Sequence, residues 1–232
     1  MEHKRLTLFA GHYGSGKTNI AVNFALHLAA EGKKVCIADL DIVNPYFRTK
    51  DSAKVLEEAG IHLVSPQFAN SNVDLPALPA EAYRLVTDRA TYGIMDIGGD
   101  DRGAYALGRY VPGILEENNY RMIFVANASR PLTRTPEDAM EVMREIEAAC
   151  GLHFTDLVNN TNLGSLTTAE TVLKSQEYME KLSALSGLPI FMTTAKADVA
   201  AQLELPNVLP LNLQEKYFDL PSQKPGNRPL WG

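Results

Sequence analysis

The residues Gly11-His12-Tyr13-Gly14-Ser15-Gly16-Lys17-Thr18 satisfy every fixed position of the pattern G-x-x-x-x-G-K-[ST]. Glycines at these positions let backbone N–H groups turn inward and close on a polyphosphate, where a Cβ would obstruct them. The chemistry is therefore that of nucleoside triphosphate binding. Lys17 reaches the β- and γ-phosphate oxygens as a point charge, and the Thr18 hydroxyl takes one position on a bound Mg²⁺. Asn19, next in the first helical turn, completes the stretch expected to touch the nucleotide.

Two further stretches carry acids where such a site needs them. Val35-Cys36-Ile37-Ala38-Asp39-Leu40-Asp41 reads as a buried strand ending in two carboxylates. Asp39 and Asp41 stand two apart, so in an extended chain they share one side and can both approach the metal and terminal phosphate. An ordinary strand-to-loop turn is the alternative, since Asp and Asn44-Pro45 are common there. An acid about twenty residues past a glycine loop also fits dinucleotide binding. Against that, Asn19 stands where the dinucleotide fingerprint wants Gly or Ala, and the Lys-Thr pair goes unexplained.

Tyr92-Gly93-Ile94-Met95-Asp96-Ile97-Gly98-Gly99 is an apolar strand running into D-x-x-G. Here Asp96 would hold Mg²⁺ and the Gly99 N–H would sense the γ-phosphate, with a tight turn as the alternative. The following Asp100-Asp101-Arg102-Gly103 reads as a loop that rearranges when a phosphate leaves. Thr155 to Asn162 is a strand ending in amides, where Asn159 or Asn160 can pair with adenine through one donor and one acceptor, or serve only as turn formers. Ala195-Lys196-Ala197-Asp198 falls one side chain short of the guanine-reading N-K-x-D.

These residues need elements to hold them, and the chain supplies strand, glycine loop and helix in order. Arg5 to Ala10 has strand composition, and Asn19 to Ala30 has apolar residues at helical spacing. Asp51–Gly60 reads as a short helix, Ile61–Val64 and Met122–Asn127 as strands, and Thr135-Pro136 caps an amphipathic helix through Ala149. His62 reads as structural. The expected fold class is α/β: a doubly wound, mostly parallel sheet with helices on both faces and the site at the strand carboxyl ends. Residues 1–232 read as one domain, with 214–232 an extended Pro-rich tail.

Composition narrows the function. At 232 residues, 45% hydrophobic, with a net charge of −6, the chain offers no broad basic surface for nucleic acid or anionic lipid. Met1 to Arg5 leads directly into a strand, and no run of eighteen apolar residues occurs, so a cytoplasmic location is expected. Only Cys36 and Cys150 are present, with no C-x-x-C pair, which disfavours an iron–sulfur cluster or zinc site within one chain. Cys36 reads as a core residue, leaving Cys150 as the weak candidate for a cluster shared between copies.

Glycine loop, D-x-D strand end followed by Pro45, D-x-x-G and Asn-ended strand occur in the order that resembles the MinD/ParA/nitrogenase-iron-protein-like ATPases. The wider grouping includes cobyrinic-acid-type amidoligases and dethiobiotin synthetase. The resemblance covers most of residues 5 to 200. It implies ATP and Mg²⁺ as cofactors, Asp41 orienting the attacking water, Asp39 and Asp96 on the magnesium side, and Asn159 or Asn160 reading adenine. It also implies a slow ATPase that switches a protein partner, with a homodimer possible.

One departure stands out, because this family commonly has K-G-G-x-G-K-[ST], whose first lysine reaches a dimer partner's phosphates. Here His12 and Tyr13 occupy that lysine and the first paired glycine. A neutral imidazole is no permanent cation, and Arg102 or Arg48 is the sequence's other candidate. The stretch after Gln214 lacks the basic amphipathic helix that MinD uses on membranes. The enzyme-class rival, a ligase or phosphotransferase, needs an acceptor pocket, for which the loop from Asn70 to Pro79 is the candidate. A non-hydrolysing nucleotide-bound scaffold is the third reading.

Overall fold

The computed structural model describes residues 3–40, 52–64, 80–99 and 101–212, with the side chains of residues 80, 101 and 102 left aside. Asp41, Arg48, the loop from Ser65 to Pro79 and the tail from 214 fall outside the described residues or side chains, as does the side chain of Arg102.

Eight strands form one sheet: β1 (Leu6–Ala10), β2 (Val35–Leu40), β3 (His62–Val64), β4 (Tyr92–Ile97), β5 (Tyr120–Ala126), β6 (Asp156–Asn159), β7 (Ile190–Lys196) and β8 (Val208–Leu211). Their order is β3-β2-β4-β1-β5-β6-β7-β8, and every neighbouring pair is parallel. The central strands are buried along their whole length, as strands covered on both faces must be, which is why they read as unbroken apolar runs.

The helices are α1 (Lys17–Ala30), α2 (Ala53–Glu58), α3 (Arg84–Thr87), α4 (Asp101–Gly108), α5 (Val111–Glu117), α6 (Pro136–Cys150), α7 (Ala169–Lys174), α8 (Gln176–Ser186) and α9 (Ala197–Ala200). Alternate strand residues feed two cores, one on each sheet face. Phe9, Ile37, Ile94 and Val125 pack with Ile20, Phe24 and Leu28 of α1. Leu8, Ala38, Met95 and Phe124 pack on the other face with Leu107 of α4, Ile114 of α5, Met143 of α6 and Leu182 of α8. The doubly wound α/β architecture expected from the sequence is the one observed.

The N-terminus of α6 forms by the expected capping. The Asp138 N–H donates to the Thr135 hydroxyl at 3.1 Å, the Thr135 N–H donates back to the Asp138 carboxylate at 3.2 Å, and Pro136 needs no partner at the first position. Two expectations fail locally. Residues 101–103 open α4 instead of a loop, Asp100 lying outside the described residues, and Gly103 packs so closely on Gly98 that any side chain would collide with its backbone. Cys150 is buried like Cys36, with burial raising the thiol pKa of both, so neither offers an exposed thiolate for a shared cluster.

The start of β1 is locked from below. Arg5 is buried, paired with the Glu117 carboxylate, and its Nη1 donates to the carbonyls of Leu85 at 2.9 Å and Thr91 at 3.0 Å. A guanidinium can be buried here because carboxylate and carbonyl oxygens meet most of its donors.

Candidate functional site

The loop between β1 and α1 leaves the sheet at its carboxyl edge and turns on glycines. Gly16 caps α1 with φ 91°, a left-handed backbone that a side chain resists, and a Cβ there would collide with Asn160. The Ser15 N–H donates to the His12 carbonyl at 3.1 Å, closing the loop, and the Ile20 N–H donates to the Gly16 carbonyl, starting the helix. The first turn of α1 thus aims its unused N–H groups out of the helix end toward the loop, where an anion is favoured.

Lys17 and Thr18, the first two residues of α1, are both buried. Asp39 near the end of β2 and Asp96 near the end of β4 are directly paired in register, and Asp96 is paired in turn with Phe9 of β1. Asp39 alternates with Val35 and Ile37, and Asp96 with Ile94, so both carboxylates lie on the α1 face of the sheet. The structure therefore gathers Lys17, Thr18, Asp39 and Asp96 on one face at one edge.

That donor set suits magnesium: a hydroxyl and two carboxylates are hard oxygen ligands. Asp39 is 2% and Asp96 0% exposed, and two carboxylates side by side with so little water repel unless cations compensate. Among the described residues the buried Ser15 hydroxyl has no hydrogen-bond partner, an uncommon state for such a group, and it sits 3.3 Å from where a Gly11 Cβ would stand. The loop presents the donor a phosphate oxygen would take.

Gly99 of the D-x-x-G reaches this loop. A Cβ on it would come within 2.7 Å of the Tyr13 nitrogen and 3.0 Å of the Gly11 carbonyl oxygen, so the glycine loop and the D-x-x-G segment touch backbone to backbone. His12 is partly exposed, with Nδ1 3.0 Å from the Tyr13 carbonyl, and Gly14 also has a left-handed backbone. Asn19 accepts at its carbonyl from the Asn23 side chain at 2.8 Å.

The asparagines expected as base readers both bond within the protein. Asn160 donates from Nδ2 to the Ser15 carbonyl at 2.6 Å and accepts at Oδ1 from the Thr194 hydroxyl at 2.7 Å. Asn159 is fully buried, donating to the Ser175 hydroxyl at 2.8 Å and accepting from the Thr161 N–H at 3.1 Å. Each side-chain amide makes one donor and one acceptor bond within the protein, and that of Asn160 forms a strut under the glycine loop. Lys196 and Asp198 of the near-miss motif pair with each other at 3.0 Å.

Sequence reasoning missed three residues here. Thr194 holds Asn160, and Asn127 just after β5 is fully buried, its Nδ2 lacking a hydrogen-bond partner among the described residues. Arg130 donates from Nε to the Gly14 carbonyl at 2.9 Å, and its Cζ lies 3.8 Å from where a Gly14 Cβ would be. A permanent cation thus lies across the glycine loop from a segment with no recognisable motif. Its only signal in the sequence was a charged residue in the loop after a strand ending at the carboxyl edge.

No protein-family model matches the chain, and no curated protein matches it. Solved structures do. The chain is similar to the signal recognition particle receptor FtsY of Elizabethkingia anophelis, with TM-score 0.52 and 20% identity over 83% of this chain and 59% of that one. Chloroplast FtsY from Physcomitrella patens gives TM-score 0.56 at 15% identity, over 83% and 59% of the two chains. The Signal Recognition Particle 54 kDa protein of Aeropyrum pernix, in complex with GDP, gives 0.52 at 19% identity, over 83% and 41%. The chain shares their doubly wound, parallel α/β fold. The chain spans about three fifths or less of the length of those neighbours, and at these identities the likeness establishes the fold they share.

Proposed function

We propose that the chain binds a purine nucleoside triphosphate with Mg²⁺, hydrolyses it slowly, and uses the change to switch its contact with a protein partner. The observation that carries this reading is the convergence of Lys17 and Thr18 with the registered pair Asp39 and Asp96 beneath a glycine loop whose Ser15 hydroxyl has no partner among the described residues. Thr18, Asp39 and Asp96 are the residues that would hold the magnesium ion, which when bound supplies charge neutralisation at the phosphates. Lys17 and the loop N–H groups hold the β- and γ-phosphates in place, and Asp41 is the residue proposed to orient the attacking water.

Arg130 is the proposed replacement for the absent family lysine. Its guanidinium already lies on the loop at Gly14, it is charged at all relevant pH, and it acts in the same chain. The base is a purine of either kind: the family resemblance implies ATP, with Asn159 or Asn160 as its reader, whereas the 54 kDa neighbour is a complex with GDP.

A partner surface is supported by apolar side chains exposed on loops and a helix that follow the carboxyl ends of the strands. Tyr13 of the phosphate loop is 53% exposed, Tyr105 of α4 76%, and Leu132 after β5 57%. A helix one turn past the γ-phosphate-sensing Gly99 is well placed to carry a change of nucleotide to such a surface.

Calorimetric titration of the full chain with Mg·ATP and Mg·GTP tests the reading, followed by steady phosphate release without any small-molecule acceptor. One site for at least one nucleotide, with phosphate release, is the expected result. Binding of neither would overturn it, and release only on adding an acceptor would transfer the chain to the ligase or phosphotransferase class.

A further inference from the structure

The far end of α1 brings together a second set of ligand atoms. His27 and Glu31 stand four apart at the last turn of the helix, and so share a face. The helix runs back along β1 to the opposite edge of the sheet, where the residues before Leu6 begin, and this brings His3 beside them. His27 lies ten residues, about 15 Å, along the helix from Lys17, so this cluster is separate from the phosphate loop.

Its geometry is compact. His3 Nε2 is 3.1 Å from Glu31 Oε2, and His27 Nε2 is 3.3 Å from Glu31 Oε1. One nitrogen from each imidazole and one carboxylate oxygen all lie within 4.8 Å of one another. Ligands bonded at about 2.0–2.2 Å in a tetrahedral shell stand a little over 3 Å apart, so small rotations of the side chains convert these contacts into bonds to a common centre.

The surroundings hold the donors in place while leaving the centre reachable. The His3 ring packs edge-on against Phe24 at 5.9 Å and against His27 at 6.1 Å between centroids, and its Nδ1 is buried, so Nε2 is the nitrogen presented to Glu31. The Glu31 N–H donates to the His27 carbonyl at 3.2 Å, fixing the two residues in register at the helix end. The His27 and Glu31 side chains are 45% and 39% exposed, so an ion can enter from solvent. The carbonyl end of a helix also favours positive charge.

We infer that His3, His27 and Glu31 form a binding site for a divalent transition-metal ion of the zinc type. Two imidazoles and a carboxylate suit zinc, cobalt and nickel ahead of magnesium, which prefers an all-oxygen shell. Three protein ligands leave at least one position for water, and the bound ion ties the segment before β1 to the end of α1.

The test uses the full chain without nucleotide, titrated with Co²⁺ as the spectroscopic substitute for Zn²⁺. The expected result is one equivalent of cobalt with the intensified visible absorption of a low-coordinate site, without the near-ultraviolet band of a cobalt–thiolate bond, displaced by Zn²⁺ and left in place by excess Mg²⁺. His3→Gln, His27→Gln and Glu31→Gln should each weaken it at least about tenfold. His27→Gln and Glu31→Gln alter partly exposed side chains, so both should stay folded by circular dichroism. An absorption no stronger than that of aqueous cobalt overturns the inference. So does displacement by Mg²⁺, or a site that depends on His3 alone and survives His27→Gln and Glu31→Gln.

Discussion

Asn160 donates from its side-chain amide to the Ser15 carbonyl at 2.6 Å, joining the end of β6 to the loop that opens α1. With Thr194 bonded to its other side, the amide acts as a strut. Asn160→Ala should weaken Mg·ATP and Mg·GTP by the same factor, about tenfold, because a buried carbonyl and hydroxyl lose their partner whichever base is bound. Paired calorimetric titrations read the ratio. A change in the ATP-to-GTP preference would return Asn160 to base reading.

Lys17→Ala and Thr18→Ala should each abolish measurable binding of the Mg²⁺ complex, since the first removes a buried cation and the second an oxygen at the metal position. Calorimetry on the folded variants decides it. Undiminished affinity in both would remove the phosphate-loop assignment.

Arg130→Ala should slow phosphate release by about tenfold or more with little change in nucleotide affinity, the pattern of a charge used in the transition state. Arg130→Lys should recover only part of the rate, because a point charge does not reproduce a planar fork. His12→Ala, by contrast, should leave the rate within about twofold, since Arg130 carries the charge. If His12→Ala proved the slower variant, the imidazole would be the working substitute for the family lysine.

Gly99→Ala places a methyl group 2.7 Å from the Tyr13 nitrogen, and neither side of that contact is a flexible side chain that can swing away. The expected cost is about 1–3 kcal/mol of stability, with weakened nucleotide binding because the two loops must separate. Chemical denaturation and calorimetry measure the two effects, and an unchanged protein would show that the loops do not need this approach.

Arg5→Met should cost about 3–5 kcal/mol, because Glu117 and three backbone carbonyls lose a buried cation while the strand keeps its place. Replacing Arg5 and Glu117 together by apolar residues should restore much of the loss. Thermal unfolding of the single and double variants would show it, and additive losses would mean the pair is not coupled.

Much of the fold was legible from residues 6–40 and 92–159. Parallel strands buried on both faces leave unbroken apolar runs, and Thr135-Pro136 with Asp138 announces its own helix. The strands β7 and β8 escaped reading because a threonine pair and a proline interrupt their short apolar runs, and their place in the sheet rests on β7 pairing with β6 and β8 with β7. The charges and glycines around Gly103 read as a loop, whereas residues 101–103 open α4 and Gly103 is small enough to pack on Gly98.

The sequence by itself determined the phosphate loop and the acid at the end of β4, because that chemistry depends on residue types at short, local spacings. Tertiary structure decided which side chains serve those residues. Arg130 meets Gly14 across 116 positions, Asn160 meets Ser15 across 145, and His3 meets Glu31 across 28. None of these spacings has a period that a strand or helix imposes. Each contact exists because a parallel sheet delivers all its loops to one edge and returns each helix to the other, so distant residues become neighbours by topology.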